Sequence, residues 1–257
     1  MSSEHTLAVP GATLSYEENG SGPVVVQAHG MLSSRAAELD LGLDFSPLAA
    51  THTLVRYDAR GHGASTGRPE PDDYRWSNLA TDLLALVDTV DGPVDAIGAS
   101  MGTATILTAA VRRPEAFRRL VLVIPPTAWE GRAAQRDAYE AGADVVEQQG
   151  LAAFAEGMQG LELPPVVAEL GATPAVEVPE TLLPSLMRGA ARSNLPDLQT
   201  LAGLQHPVLL LPWIDDPVHP LSTAEKLAAT LPDARLHMAT SAADVRAWPQ
   251  LVADFLR

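Results

Sequence analysis

The chain of 257 residues is long enough for one large α/β domain or two small ones, and 46% apolar against 19% charged residues excludes a disordered or coiled-coil chain. With 32 acidic and 17 basic residues the net charge is −15, which repels phosphate backbones and anionic lipid surfaces, so neither nucleic acid nor a membrane is an expected partner. The absence of cysteine removes disulfides, thiolate metal sites and a cysteine nucleophile together.

Met1 to Pro10 has neither a basic start nor an apolar run, and no later apolar stretch approaches the ~20 residues of a spanning helix. A cytoplasmic protein, monomeric or homodimeric, is therefore expected. Thr6–Val9 and Leu14–Glu17 flank the turn signal Pro10-Gly11-Ala12 and predict an opening hairpin at a sheet edge. Short β-branched runs of the kind buried in parallel sheets follow at Val24–Val26, Thr53–Val55, Val94–Ile97, Leu120–Ile124 and Val208–Leu211, with a weaker one at Arg235–Met238. Helical patterns fill Arg35–Ala50, Trp76–Val90, Met101–Val111, Thr223–Thr230 and Val245–Arg257. Strand alternating with helix predicts an α/β fold: a mostly parallel, doubly wound sheet of about eight strands with right-handed crossovers.

One stretch breaks the alternation. Between Thr127 and Gly203 no strand is predicted, only Ala-rich helical segments such as Arg132–Gln149 and Leu151–Met158, interrupted by prolines. Its apolar content, Leu182, Leu183, Leu186 and Met187 among it, favours a small helical lid over a disordered loop. The expected organisation is a core of residues 1–126 and 204–257 with the lid, 127–203, inserted after the sixth strand.

Three loops carry chemistry. Gly98-Ala99-Ser100-Met101-Gly102 follows a predicted buried strand and opens a predicted helix, the context a G-x-S-x-G nucleophile elbow requires. The alternative for Ser100 is a helix N-cap. A helix starting there points N–H groups, that of Met101 included, at a developing oxyanion. Gln27-Ala28-His29-Gly30-Met31 follows the Val24–Val26 strand, and the Met31 amide is the second candidate oxyanion donor, with His29 read as a turn histidine satisfied by backbone groups. The glycine-rich loop Arg56–Ser65 reads as a brace for its neighbours.

Together these stretches resemble the α/β-hydrolase fold superfamily, its lid-bearing branch of small esterases, lactonases, dehalogenases and peptidases, over nearly the whole chain. The resemblance implies a triad acid after the seventh strand. Asp216-Pro217-Val218-His219-Pro220 matches that setting, making Asp216 the candidate acid and Asp215 its rival. It also implies a histidine after the last strand, yet that loop reads Thr240-Ser241-Ala242-Ala243-Asp244, with Asp244 where the histidine is expected.

A serine hydroxyl is a weak nucleophile without a base. Three substitutes stand open: His219 as the base, with a structural role as its alternative; His237, expected in the core between sheet and helix; and Asp244, if burial raises its pKa. The expected catalytic set is therefore Ser100, Asp216 and His219 with the Met31 and Met101 amides, and no metal or cofactor. Without a well-placed histidine, hydrolysis of plain esters is expected to be slow. The expected substrate is a small ester or lactone, neutral or cationic and partly apolar. A non-hydrolytic relative (cyclase, isomerase or lyase) and a ligand-binding pseudoenzyme remain the alternatives.

Overall fold

In the computed structural model, which describes residues 3–172 and 175–257, the chain opens with an antiparallel hairpin of β1 (Ser3–Val9) and β2 (Ala12–Gly20). Its two-residue turn is Pro10-Gly11, and Gly11 takes the left-handed backbone (φ 79°) that a side chain would resist. Next come β3 (Val24–Ala28), α1 (Ala37–Asp40), β4 (Thr53–Tyr57), α2 (Trp76–Val87), β5 (Val94–Ala99), α3 (Met101–Arg112) and β6 (Phe117–Val123). Four helices, α4 (Arg132–Gln159), α5 (Pro165–Leu170), α6 (Leu183–Ala191) and α7 (Leu198–Leu201), precede β7 (Pro207–Leu211). The chain then runs through α8 (Leu221–Thr230), β8 (Asp233–Leu236) and α9 (Ala242–Phe255).

The strands form one sheet in the order β1-β2-β4-β3-β5-β6-β7-β8. β2 meets β4 antiparallel, and every pairing from β4 through β8 is parallel. This is the expected doubly wound architecture. Alternation of side chains along each buried strand feeds two cores. Val26, Val55, Ala96, Leu120 and Leu210 face the layer of α2, α3 and α8, where Leu83, Leu107 and Leu227 are buried. Val25, Leu54, Ile97, Val121 and Leu209 face the opposite layer with Val245, Trp248 and Val252 of α9.

Two local expectations are corrected. Arg35–Ala50 is not one helix but the four-residue α1 and a 3-10 turn, Ser46–Ala50. Gly42, at φ 78°, ends the first piece, and Leu43, Phe45 and Leu48 bury in the second core instead of continuing a helical face. The last strand is displaced by two residues: β8 runs Asp233–Leu236 rather than Arg235–Met238, and both His237 and Met238 are exposed beyond it.

Between β6 and β7 the described residues form helices and loops only. The two predicted helices of this stretch run together as α4, broken where Gly150 adopts φ 87°, ψ 170°. Tyr139, Ala143, Val146, Leu183, Leu186 and Met187 make a third apolar cluster that packs on Leu32 and Tyr74 of the core. The insertion is also tied down by backbone: Glu177 donates to Leu32 O (2.7 Å) and accepts from Gly63 N (2.8 Å). Among the described residues no helix is long and apolar enough to cross a membrane.

Candidate active site

The C-terminal ends of β3, β5 and β7 lie at one edge of the sheet, where open α/β sheets carry their sites. β5 ends at Ala99 and α3 begins at Met101, leaving Ser100 alone on the junction with φ 49°, ψ −108°. Such backbone costs about 1–3 kcal/mol and persists only where its surroundings enforce it. Ser100 N donates to Val123 O (3.0 Å), fastening the junction to the end of β6. The flanking glycines are obligatory for contact reasons: a Cβ on Gly98 would lie 2.5 Å from the Gly102 carbonyl carbon, and one on Gly102 only 2.0 Å from Ala28 O.

Past β7, Trp213 and the loop Asp215–Pro220 bring the other two groups. Asp216 is buried and accepts four hydrogen bonds: Trp213 Nε1 (2.7 Å) and His219 Nδ1 (2.7 Å) on Oδ2, Val218 N (2.9 Å) and His219 N (3.2 Å) on Oδ1. Burial pushes the Asp216 carboxyl up, but the hydrogen bond and charge of His219, then the donors from Trp213 and Val218, outweigh it and bring the pKa down to about 2. The carboxylate thus fixes the imidazole tautomer with its proton on Nδ1, and Nε2 is left as an acceptor. It stands 2.8 Å from Ser100 Oγ.

The structure therefore brings Ser100, His219 and Asp216 into one chain of hydrogen bonds, and the expectation that no histidine is well placed does not hold. The imidazole comes from the acid's own loop. Trp213 steers it, stacking on Trp248 of α9 (6.3 Å between ring centroids) and meeting the His219 ring edge-on (6.4 Å). Thr127 N donates to Val218 O (3.0 Å) and pins the same loop to the start of the insertion.

The rivals fall elsewhere. Asp215 is exposed, in left-handed backbone (φ 57°). His237 is exposed past β8 rather than buried between sheet and helix. Asp244, in the first turn of α9, completes the capping box of the N-cap Ser241: it accepts from Thr240 N (2.8 Å) and Oγ1 (3.1 Å) and from Ser241 N (3.0 Å) and Oγ (2.9 Å). These donors, the Thr240 amide foremost, hold its carboxyl below the usual range, the reverse of what a base requires.

Met101 is the first residue of α3, so its amide is one of the free N–H groups of a helix start. Met31 follows Gly30, whose Cα faces Ser100 closely enough that a Cβ there would lie 3.6 Å from the serine Cβ. His29 is buried and satisfied by backbone: Nδ1 pairs with Gly30 O (2.7 Å), and Nε2 accepts from Ala59 N (2.9 Å). The Arg56–Ser65 loop braces this region, Asp58 accepting from Arg35 N (2.9 Å) and Ala64 N (3.0 Å). Residue-by-residue reading missed Trp213, whose only signal is an aromatic residue just past a buried strand.

Sequence and structure comparisons agree with this frame. The sequence model described as "Alpha/beta hydrolase family" matches residues 24–253. A 3-oxoadipate enol-lactonase of Acinetobacter baylyi is 32% identical over 175 residues, 64% of this chain and 62% of that enzyme, so the match spans less than two thirds of the relative's length. A hydrolase of Pseudomonas aeruginosa superimposes with a TM-score of 0.82 at 28% identity over 98% of both chains. An enol-lactonase of Burkholderia xenovorans shares the fold, with a TM-score of 0.78 at 20% identity over 98% and 99% of the two chains. The chain belongs to the alpha/beta hydrolase family.

Proposed function

We propose that the protein is a serine hydrolase of small esters or lactones. The observation that carries this reading is the 2.8 Å contact between His219 Nε2 and Ser100 Oγ, with Asp216 behind the imidazole. In the proposed reaction Ser100 Oγ attacks the carbonyl carbon while His219 takes its proton. Asp216, ionised across the neutral range, stabilises the imidazolium. The Met31 and Met101 amides receive the negative oxygen of the tetrahedral intermediate, each contributing about 3 kcal/mol to the transition state. His219 then protonates the leaving alkoxide, and the same imidazole activates the water that releases the acid. Opening a lactone follows the same steps, with the leaving alkoxide still tethered to the acyl group.

The helical insertion, residues 127–203, is assigned as the lid. Its packing on Leu32 next to Met31 supports that role and suits a small, partly apolar substrate. The enol-lactonase relative supports the ester and lactone class, and the assembled serine–histidine contact favours hydrolysis over the cyclase, lyase and pseudoenzyme alternatives. The test is release of p-nitrophenol from p-nitrophenyl acetate and ring opening of γ-butyrolactone by the protein and by Ser100→Ala. Turnover lost in the variant is expected; turnover equal in both, or in neither, contradicts the reading.

A further inference from the structure

One buried carboxyl group has no place in the triad. Glu38, in α1, is 1% exposed. Its Oε1 accepts from Gly30 N (2.8 Å) and its Oε2 from Gln27 Nε2 (3.0 Å). Gln27 lies near the end of β3 and Gly30 two residues past that end, so the carboxyl group bridges the strand to the turn that follows. The Gly30 N–H is thereby occupied and is not free to meet an oxyanion. The next donor along the chain is Met31 N–H, one residue past the Gly30 that approaches Ser100. Its direction depends on the plane of the Gly30–Met31 peptide, whose carbonyl, Gly30 O, accepts from His29 Nδ1 (2.7 Å) and more weakly from Ser33 N (3.3 Å), while Leu32 sits in left-handed backbone (φ 66°) and Glu38 holds the preceding N–H.

We infer that Glu38 is a positioning residue of the oxyanion hole: its carboxyl group, held by Gln27, fixes the His29–Gly30 peptide and so, together with His29 on the Gly30 carbonyl, aims the Met31 amide at the carbonyl oxygen of a substrate on Ser100. This role rests on the hydrolase reading above. The protonation state follows from the surroundings. The cation facing Glu38 is Arg56 of β4, opposite Gln27 in the sheet and already paired with Glu17; Tyr57 of β4 is the other titratable neighbour. Burial raises the Glu38 pKa to about 8 against the weaker pull of Gly30 N, Gln27 and Arg56. At neutral pH the group is an acid whose O–H needs an acceptor. Gln27 Oε1 is buried and has no partner; turning that amide by 180° gives the acid an acceptor without moving the backbone. A glutamine at position 38 makes the same pair of contacts, whereas an alanine makes neither.

The test compares the whole protein with Glu38→Gln and Glu38→Ala by amide NMR and by p-nitrophenyl acetate kinetics. In Glu38→Ala, hydrogen exchange at Gly30 and Met31 is expected to rise at least about tenfold while the β6 amides stay protected. Its kcat should fall about 10–100-fold with KM within about twofold, as expected when a donor is misaimed. Glu38→Gln should stay within about threefold of the parent in both readouts. In the parent the Gly30 amide proton should titrate with a midpoint near 8, and in Glu38→Gln that step should vanish, an outcome readable even if the alanine variant does not fold. Unchanged exchange and kcat in Glu38→Ala, or a Gly30 titration that persists in Glu38→Gln, overturns the role. Absence of ester turnover in the parent would instead overturn the hydrolase reading, and the Gly30 exchange would still decide whether Glu38 holds the turn.

Discussion

His219 Nε2 stands 2.8 Å from Ser100 Oγ across 119 positions of sequence, and it does so from the loop that also carries Asp216, three residues earlier. The carboxylate and the imidazole of the proposed triad thus share one short turn after β7. Asp244, at the place after β8 where the histidine is expected, lies in the first turn of α9 and closes the capping box of Ser241. Position in the fold, rather than position in the expected motif, decides which histidine reaches the serine.

The first prediction concerns the three side chains of the hydrogen-bonded chain. Ser100→Ala should reduce ester turnover to background. His219→Ala should lower kcat by about 10³-fold or more, with unaltered near-UV circular dichroism, and Asp216→Asn by about 10⁴-fold, because an amide in place of the carboxylate disfavours the Nδ1–H tautomer. Steady-state kinetics on p-nitrophenyl acetate check all three.

The second concerns the loop after β8. Asp244→Ala should lower the thermal midpoint, because Thr240 and Ser241 lose their acceptor, and leave turnover per folded molecule unchanged. Asp244→His should not raise turnover above the parent, since the imidazole position beside Ser100 is already filled by His219. Parallel thermal melts and active-site titration separate the two effects.

A third prediction tests the close approach behind the elbow. The Gly102 Cα lies so near Ala28 O that an added Cβ would be 2.0 Å away. Gly102→Ala must push α3 from β3 and should cost about 3 kcal/mol or more by urea unfolding. A loss within ~0.5 kcal/mol would contradict the packing described.

The fourth is a pair of opposite pH dependences. The Asp216 pKa is about 2 in the folded protein against an ordinary 3.8, so its contribution, on the order of 2 kcal/mol, is present above about pH 4 and disappears as pH falls through 2. The stability gap between the parent and Asp216→Asn should therefore narrow between pH 4 and pH 2. Glu38 works in the other sense: with its pKa raised from 4.5 to about 8, the unfolded chain gives up the proton first, and stability declines as pH rises across that window. Glu38→Gln should flatten the decline, as measured by urea unfolding at pH 5 and pH 8.

Much of this was legible in the sequence where local pattern and burial act together. The run Val94–Ile97 followed by Gly98-Ala99-Ser100-Met101-Gly102 dictates a buried strand, a sharp turn and a helix, because no residue larger than glycine fits at 98 or 102. Asp216 could be named from its setting after Val208–Leu211. The reach of His219 could not, because the aim of its imidazole is set by Trp213 on Trp248 and by Thr127 N on Val218 O, contacts 35 and 91 residues apart in sequence that no local pattern encodes. His237 was misplaced by a single step: the edge strand β8 ends at Leu236, and the next residue faces solvent. Glu38 carried no signal at all, since a glutamate in a helical pattern ordinarily lies on the solvated face.

Activation of Ser100 by His219 sets the rate at which a fluorophosphonate phosphonylates the protein, measured with the adduct located by mass spectrometry. The expected result is a single adduct on Ser100 of the parent and labelling slowed at least about 100-fold in a folded His219→Ala. Labelling at equal rates in the two proteins, or none on Ser100 of the parent, would contradict it.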